Sequence, residues 1–133
     1  MGNSTCGTQL LMRVLLTEDE PVLADLIVEF LHDEGHEVAL VSDVERAGEL
    51  VRTTRWDAWV VDPPGNGFAE PDRNCAAVLR GLARVVPIVV TTGRLWARRT
   101  PPADLGVRAI LNKPYDLNDL LQTLESLSKI SDP

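Results

Sequence analysis

The chain has 133 residues, 44% of them hydrophobic, and 13 Lys and Arg stand against 20 Asp and Glu for a net charge of −7. That describes one globular domain, able to bury roughly two-thirds of its unfolded surface without staples and too short for two independent cores. An acidic total also argues against a non-specific nucleic-acid coat, which needs a basic surface.

Residues 1–11 (MGNSTCGTQLL) are polar and uncharged at the start, and read as a leader, a tag scar or a disordered arm. They show no basic region followed by an apolar run, and every apolar stretch of the chain is strand-sized, so neither a signal peptide nor a membrane span is expected. The domain proper is expected over 12–133. Its first strand is Arg13-Val-Leu-Leu-Thr17, followed by a helix in which Val22, Leu23, Leu26, Ile27, Phe30 and Leu31 recur at helical spacing. Pro21 suits the first turn of that helix and Gly35 its C-terminal cap. A second strand, Glu37 to Val41, leads to a helix opening at Ser42 with Glu45 as its capping-box partner, burying Val44, Ala47, Leu50 and Val51. The third strand is Trp56 to Val61, and the third helix runs from about Asp72 to Ala83 through Cys75, Val78, Leu79 and Leu82.

A fourth strand covers Val86 to Thr91. A fourth helix belongs between Arg94 and Gly106, yet Thr100-Pro101-Pro102 forbids a continuous one, leaving at most a short turn before Thr100. The fifth strand is Val107 to Leu111, and the last helix opens at Asp116 with Leu117, Leu120, Leu121, Leu124 and Leu127 on one face. Strands alternating with helices predict a parallel sheet with crossover helices. The two cysteines, Cys6 and Cys75, make neither a disulfide framework nor a metal-ligand pair, which fits a reducing cytoplasm.

In such a sheet, ligands bind beyond the C-terminal strand ends where strand order reverses. Glu18 and Asp19 follow the first strand, Asp62 ends the third, Thr92 ends the fourth, and Lys113-Pro114 follows the fifth. Three converging carboxylates repel one another unless a cation neutralises them, and oxygen-only donors favour a hard ion, Mg²⁺ above all. A lysine and a hydroxyl beside that ion suit a phosphoryl group. Lysine is scarce, 2 of the 13 basic residues, which makes Lys113 less ordinary.

RVLLTEDEP at 13–21, WVVD at 59–62, PIVVTTG at 87–93 and LNKP at 111–114 together resemble the receiver domain of bacterial two-component response regulators, over about residues 12–130. Each fragment alone is weak. Four in order, with site residues 43, 30 and 21 positions apart, are specific. The resemblance implies a doubly wound, flavodoxin-like sheet of five parallel strands in the order 2-1-3-4-5, here with a shortened or irregular fourth helix. It implies Asp62 as phosphoacceptor, Asp19 as direct Mg²⁺ ligand, Glu18 as a ligand through water, and the Pro64 carbonyl as a further ligand. Thr92, Lys113 and the Gly93 N–H would contact the phosphoryl group. The donor would be a histidine kinase or histidine phosphotransfer protein. A downstream protein target would dock on the Arg94–Arg108 region and the last helix, with homodimer formation open. No membrane or nucleic-acid partner is implied.

Two rivals carry less: a receiver-like scaffold that binds a partner without phosphorylation, and a Mg²⁺-dependent phosphohydrolase, for which Asp62-Pro63-Pro64 lacks a second acid. The favoured reading is a single-domain receiver that acts by altered protein binding rather than by turnover, although a piece of a hybrid kinase would read the same. Two departures from the family stand out. Ile110 occupies the place, three residues before the lysine, where the family carries an aromatic switch. Pro63-Pro64 follows the acceptor, where the family has a backbone N–H donor that proline lacks. Trp56 and Trp59 are expected in the core on opposite faces of the third strand. Trp96 is expected at a partner contact, and His32 and His36 are expected exposed.

Overall fold

The computed structural model describes residues 11–63 and 72–130. Five strands alternate with helices: β1 (Arg13–Thr17), α1 (Pro21–Asp33), β2 (Glu37–Leu40), α2 (Val44–Thr53), β3 (Ala58–Val61), α3 (Arg73–Leu82), β4 (Ile88–Thr92), a 3₁₀ turn (Leu95–Arg98), the one-turn α4 (Pro102–Leu105), β5 (Ala109–Asn112) and α5 (Leu117–Ile130). All neighbouring strands pair in parallel, in the order β2-β1-β3-β4-β5. This is the doubly wound flavodoxin-like order, and the five strands fall where the apolar runs predict them, within two residues at either end.

Because side chains alternate along a strand, each strand feeds two cores. Leu15, Trp59, Val61, Ile88 and Val90 pack toward α2 and α3 with Val44, Ala47, Val51, Leu79 and Leu82. Val14, Leu16, Val60 and Val89 pack on the other face with Ile27 and Leu31 of α1 and Leu120, Leu124 and Leu127 of α5. A sheet covered on both faces needs near-continuous apolar strands, which is what these runs supply.

The helix ends follow local chemistry, with one revision. The cap of α2 is Asp43, not Ser42: its Oδ1 accepts the Glu45 N–H at 3.0 Å, so the carboxylate takes the role assigned to the serine hydroxyl. Asp72 caps α3 through the Cys75 N–H, and Asp116 accepts the Asn118 N–H at the start of α5. Gly35, at φ +94°, takes the left-handed turn that ends α1. The fourth helix is interrupted as the prolines predict. A second helical turn nonetheless forms after them, because Pro102 occupies a first-turn position where its missing N–H is harmless.

Three side-chain expectations are corrected. Trp96 is core rather than partner contact: the 3₁₀ turn carries its indole into the α2/α3-side core, leaving it 3% exposed. His36 is buried, its Nδ1 accepting the Met12 N–H at 3.1 Å where the chain turns into β2, whereas His32 is exposed as expected. Trp56 and Trp59 serve the same core instead of opposite faces. β3 starts only at Ala58, so strand alternation does not reach Trp56, whose Nε1 donates to the Leu50 carbonyl of α2.

Candidate functional site

Strand order reverses at β1, with β2 on one side and β3 on the other. The segments leaving β1 and β3 therefore border one crevice. The Asp62 N–H donates to the Thr17 carbonyl at 2.9 Å, tying the two strand ends together. Beneath them the fully buried Trp59 donates from Nε1 to Thr17 Oγ1 at 2.9 Å. The residue after Thr17 is Glu18, whose side chain has no solvent exposure, while Asp19 is exposed at the crevice mouth.

Glu18, Asp19 and Asp62 each bring a carboxylate oxygen within 4.8 Å of the others. Lys113, following β5, crosses to them: its Nζ lies 3.1 Å from Glu18 Oε1 and 3.0 Å from Asp62 Oδ2. One ammonium thus faces three acids, and two negative charges remain in a partly dehydrated pocket. Burial and the neighbouring Glu18 and Asp19 push Asp62 up to about 6, against the opposing pull of Lys113. Burial works to lower the Lys113 ammonium, but its hydrogen bonds and attraction to Asp62 and Glu18 prevail and raise it. A small divalent cation suits this residue charge, and the donors are all oxygens, so the cluster fits a hard ion.

Thr92 ends β4, fully buried; its Oγ1 accepts the Arg94 N–H at 3.0 Å and its carbonyl accepts the Lys113 N–H at 2.8 Å. Gly93 borders Lys113, a methyl built on it lying 3.7 Å from the lysine Cβ. Thr92, Gly93 and Lys113 are therefore neighbours along one rim. The expected Pro64 ligand lies outside the described residues. Ile110 packs toward the α2/α3-side core, with no polar atom to offer the site.

Features invisible in the residue pattern surround this cluster. A cleft of about 260 Å³ runs from Asp19 and Asp62 between the starts of α2 and α3, lined by Asp43, Glu45, Asp72 and Cys75 among others. The Cys75 thiol is pushed up to about 12 by burial and by the charges of Asp72 and Asp62, which makes it inert. Tyr115, two residues past Lys113, has a buried hydroxyl without a hydrogen-bond partner, and so does Thr91 beside Thr92. The only sequence signal for that pair was adjacency to two site residues.

No family model matches the chain. Among curated proteins it is 32% identical over 127 residues to the transcriptional regulatory protein TcrA of Mycobacterium tuberculosis, covering 93% of this chain and 49% of that one. It is also 32% identical over 122 residues to the response regulator protein PmrA of Pseudomonas aeruginosa, covering 89% and 53%. The chain thus spans about half the length of the curated relatives it matches. Among solved structures it superposes on the non-phosphorylated HemR receiver domain of Leptospira biflexa with a TM-score of 0.72 at 27% identity, covering 92% of this chain and 98% of that one. A receiver domain of a sensor histidine kinase from P. aeruginosa, solved with magnesium in its active-site cleft, matches with a TM-score of 0.69 at 25% identity, covering 89% and 98%. Sheet order, strand-end acids and these relatives together define the chain as a receiver domain of the response-regulator class. No helix among the described residues is long and apolar enough to cross a membrane.

Proposed function

We propose that this receiver domain, residues 12–133 after a leader of 1–11, accepts a phosphoryl group on Asp62 in a cytoplasmic two-component pathway and signals by changed affinity for another protein. The observation that carries the reading is the convergence of Glu18, Asp19 and Asp62 on one point with Lys113 bridging two of them. The donor is a histidine kinase or histidine phosphotransfer protein.

In the transfer, an Asp62 carboxylate oxygen attacks phosphorus, an O–P bond forms, and the N–P bond of phosphohistidine breaks, leaving imidazole to take a proton. Asp19 and Asp62 would hold Mg²⁺ directly, with Glu18 acting through water and the Pro64 carbonyl added; bound there, the ion neutralises charge on the phosphoryl oxygens. Lys113 exchanges a carboxylate partner for a phosphoryl oxygen, and the Thr92 hydroxyl and Gly93 N–H donate to the remaining oxygens. The acceptor's raised pKa matters little near neutrality, where Asp62 is ionised and nucleophilic. The output surface is the Arg94–Arg108 region with the last helix: Arg98, Arg99 and Arg108 are exposed there, a charge pattern suited to an acidic partner.

A second reading, a scaffold that binds its partner without phosphorylation, is favoured by Ile110 and by Pro63-Pro64. Incubation with Mg²⁺ and acetyl phosphate followed by intact-mass measurement separates the two. A Mg²⁺-dependent adduct on the wild type that is absent in Asp62→Asn supports the receiver, and no adduct despite Mg²⁺ binding supports the scaffold. Sustained phosphate release from many substrates would instead indicate a phosphohydrolase.

A further inference from the structure

The candidate site lies at the C-terminal ends of the strands, and the opposite pole of the sheet carries a groove that the receiver reading does not use. It holds about 540 Å³ and opens where the chain leaving α2 and the turn entering β4 diverge, with Arg52, Arg55, Trp56, Asp57, Val85 and Pro87 in its lining. Asp57 precedes Asp62 by five residues along β3, which sets the groove about 16 Å from the acceptor at the usual strand rise.

Several contacts fix the floor of this groove. The Trp56 indole donates from Nε1 to the Leu50 carbonyl at 3.2 Å, and the Arg13 guanidinium lies over the ring, 4.8 Å from its centroid. Arg13 also donates from Nη1 to the Arg55 carbonyl at 3.0 Å, holding the backbone that carries the second arginine of the lining. Asp57 is engaged as well, its Oδ2 accepting the Arg13 N–H at 2.8 Å. Arg52 and Arg55 are exposed, and no carboxylate among the described residues lies within ion-pair distance of either. In a chain of net charge −7, two neighbouring arginines without counter-ions are a local reversal of sign. The facing wall is apolar: Val85 is 58% exposed, beside the half-buried Pro87. A second groove, of about 450 Å³, continues from Arg52 along the outer face of α2 to Leu50 and Arg46. Arg46 and Arg52 are about 9 Å apart along the helix axis, so the two grooves together make a track long enough for about five extended residues.

We propose that this track docks an extended acidic segment of a partner protein, its carboxylates on Arg52 and Arg55 and one apolar side chain between Trp56 and Val85. Charge complementarity selects the acid, and the aromatic floor and exposed valine select the apolar residue. A compact anion such as phosphate would pair with the arginines but leave Trp56 and Val85 unused. Being at the pole remote from Asp62, the groove binds whether or not the acceptor is phosphorylated, and it is separate from the Arg94–Arg108 region.

A random dodecamer peptide library displayed on phage and selected on the intact protein tests this. Trp59 and Trp96 are 0% and 3% exposed, whereas Trp56 is half-buried on the groove floor, so its emission reports occupancy. Enriched peptides should combine Asp or Glu with a Leu, Ile, Phe or Trp, and should change the emission of the wild type but not of Trp56→Phe. They should bind about tenfold more weakly to Arg52→Glu/Arg55→Glu and weaken in high salt. Val85→Asp, which leaves both arginines in place, should weaken them too, and Asp62→Asn should bind as the wild type does. Enriched peptides without acidic bias, acidic peptides that bind Arg52→Glu/Arg55→Glu as tightly as the wild type, or no enrichment at all would overturn the proposal.

Discussion

Lys113 Nζ stands 3.0 Å from Asp62 Oδ2 while also reaching Glu18 Oε1 at 3.1 Å, so one ammonium spans residues 95 and 51 positions away in the chain. Glu18 is the partner with no solvent access, and its other described contact, from Glu20 N–H to Oε2, is a single backbone donor at 3.2 Å. Replacing Lys113 by Met leaves that buried charge without a counter-ion and should cost about 2–3 kcal/mol in metal-free buffer. Millimolar Mg²⁺ should recover part of the loss, measured by urea unfolding with and without chelator. A Lys113→Met variant as stable as the wild type would show that Glu18 does not depend on the ammonium.

Asp62 sets a second expectation. Its pKa in the folded state, about 6, lies above the ordinary 3.8, so between these values the folded chain holds a proton that the unfolded chain has released. Asp62 therefore favours folding most at low pH, and its contribution falls as pH rises through the folded pKa, by at most about 3 kcal/mol and by less once solvent screening of the partly exposed carboxylate is counted. Other carboxylates slope the opposite way, so the measurement is the difference between wild type and Asp62→Asn. In chelator, Asp62→Asn should gain stability over the wild type between pH 4 and pH 7. A difference that is flat with pH would mean that Asp62 is not held above the usual carboxylate range.

Mg²⁺ should stabilise the wild type with the logarithm of its free concentration, and the effect should vanish on chelation. Below the folded pKa of Asp62, near 6, a proton competes with the ion and the effect should weaken. Thermal melts at several Mg²⁺ concentrations, at pH 5 and pH 8, read this directly. An identical melting shift in Asp62→Asn would place the ion elsewhere.

Trp96 provides a packing test. Buried in the α2/α3-side core, it should cost about 3–4 kcal/mol on truncation to Ala, with Trp96→Phe much milder. Urea unfolding decides, because a surface indole used only for partner contact would change stability by less than about 0.5 kcal/mol.

Pro64 removes a backbone donor that the family resemblance places against the phosphoryl group, which points to weak or brief phosphorylation. By analogy with oxyanion sites, one such donor is worth up to about 3 kcal/mol. Pro64→Asn should change the lifetime of the Asp62 adduct, followed by intact mass after removal of acetyl phosphate. An unchanged lifetime would remove the basis of this expectation.

Residue order was enough to identify strands and helices wherever local and global preferences agree. Apolar runs buried on both faces, Pro21 at a helix start, Gly35 at a helix end and the proline break after Thr100 all act through chemistry within a few residues. Asp43 displaced Ser42 as a cap because two adjacent capping side chains cannot be ranked without knowing which one faces the free N–H. His36 and Trp96 depart from the sequence expectation for a related reason: burial in a connecting segment depends on how the segment folds back, and periodicity carries no information there.

The residues of the site were legible because a parallel sheet brings all its strand ends to one edge. Glu18, Asp19, Asp62, Thr92 and Lys113 could be named from that rule and their residue types. Their mutual arrangement could not. That Glu18 is sealed from water and that Lys113 bridges it to Asp62 are decided by strand register and side-chain direction. Those contacts join residues as much as 95 positions apart, and only the packed sheet holds them at hydrogen-bonding distance.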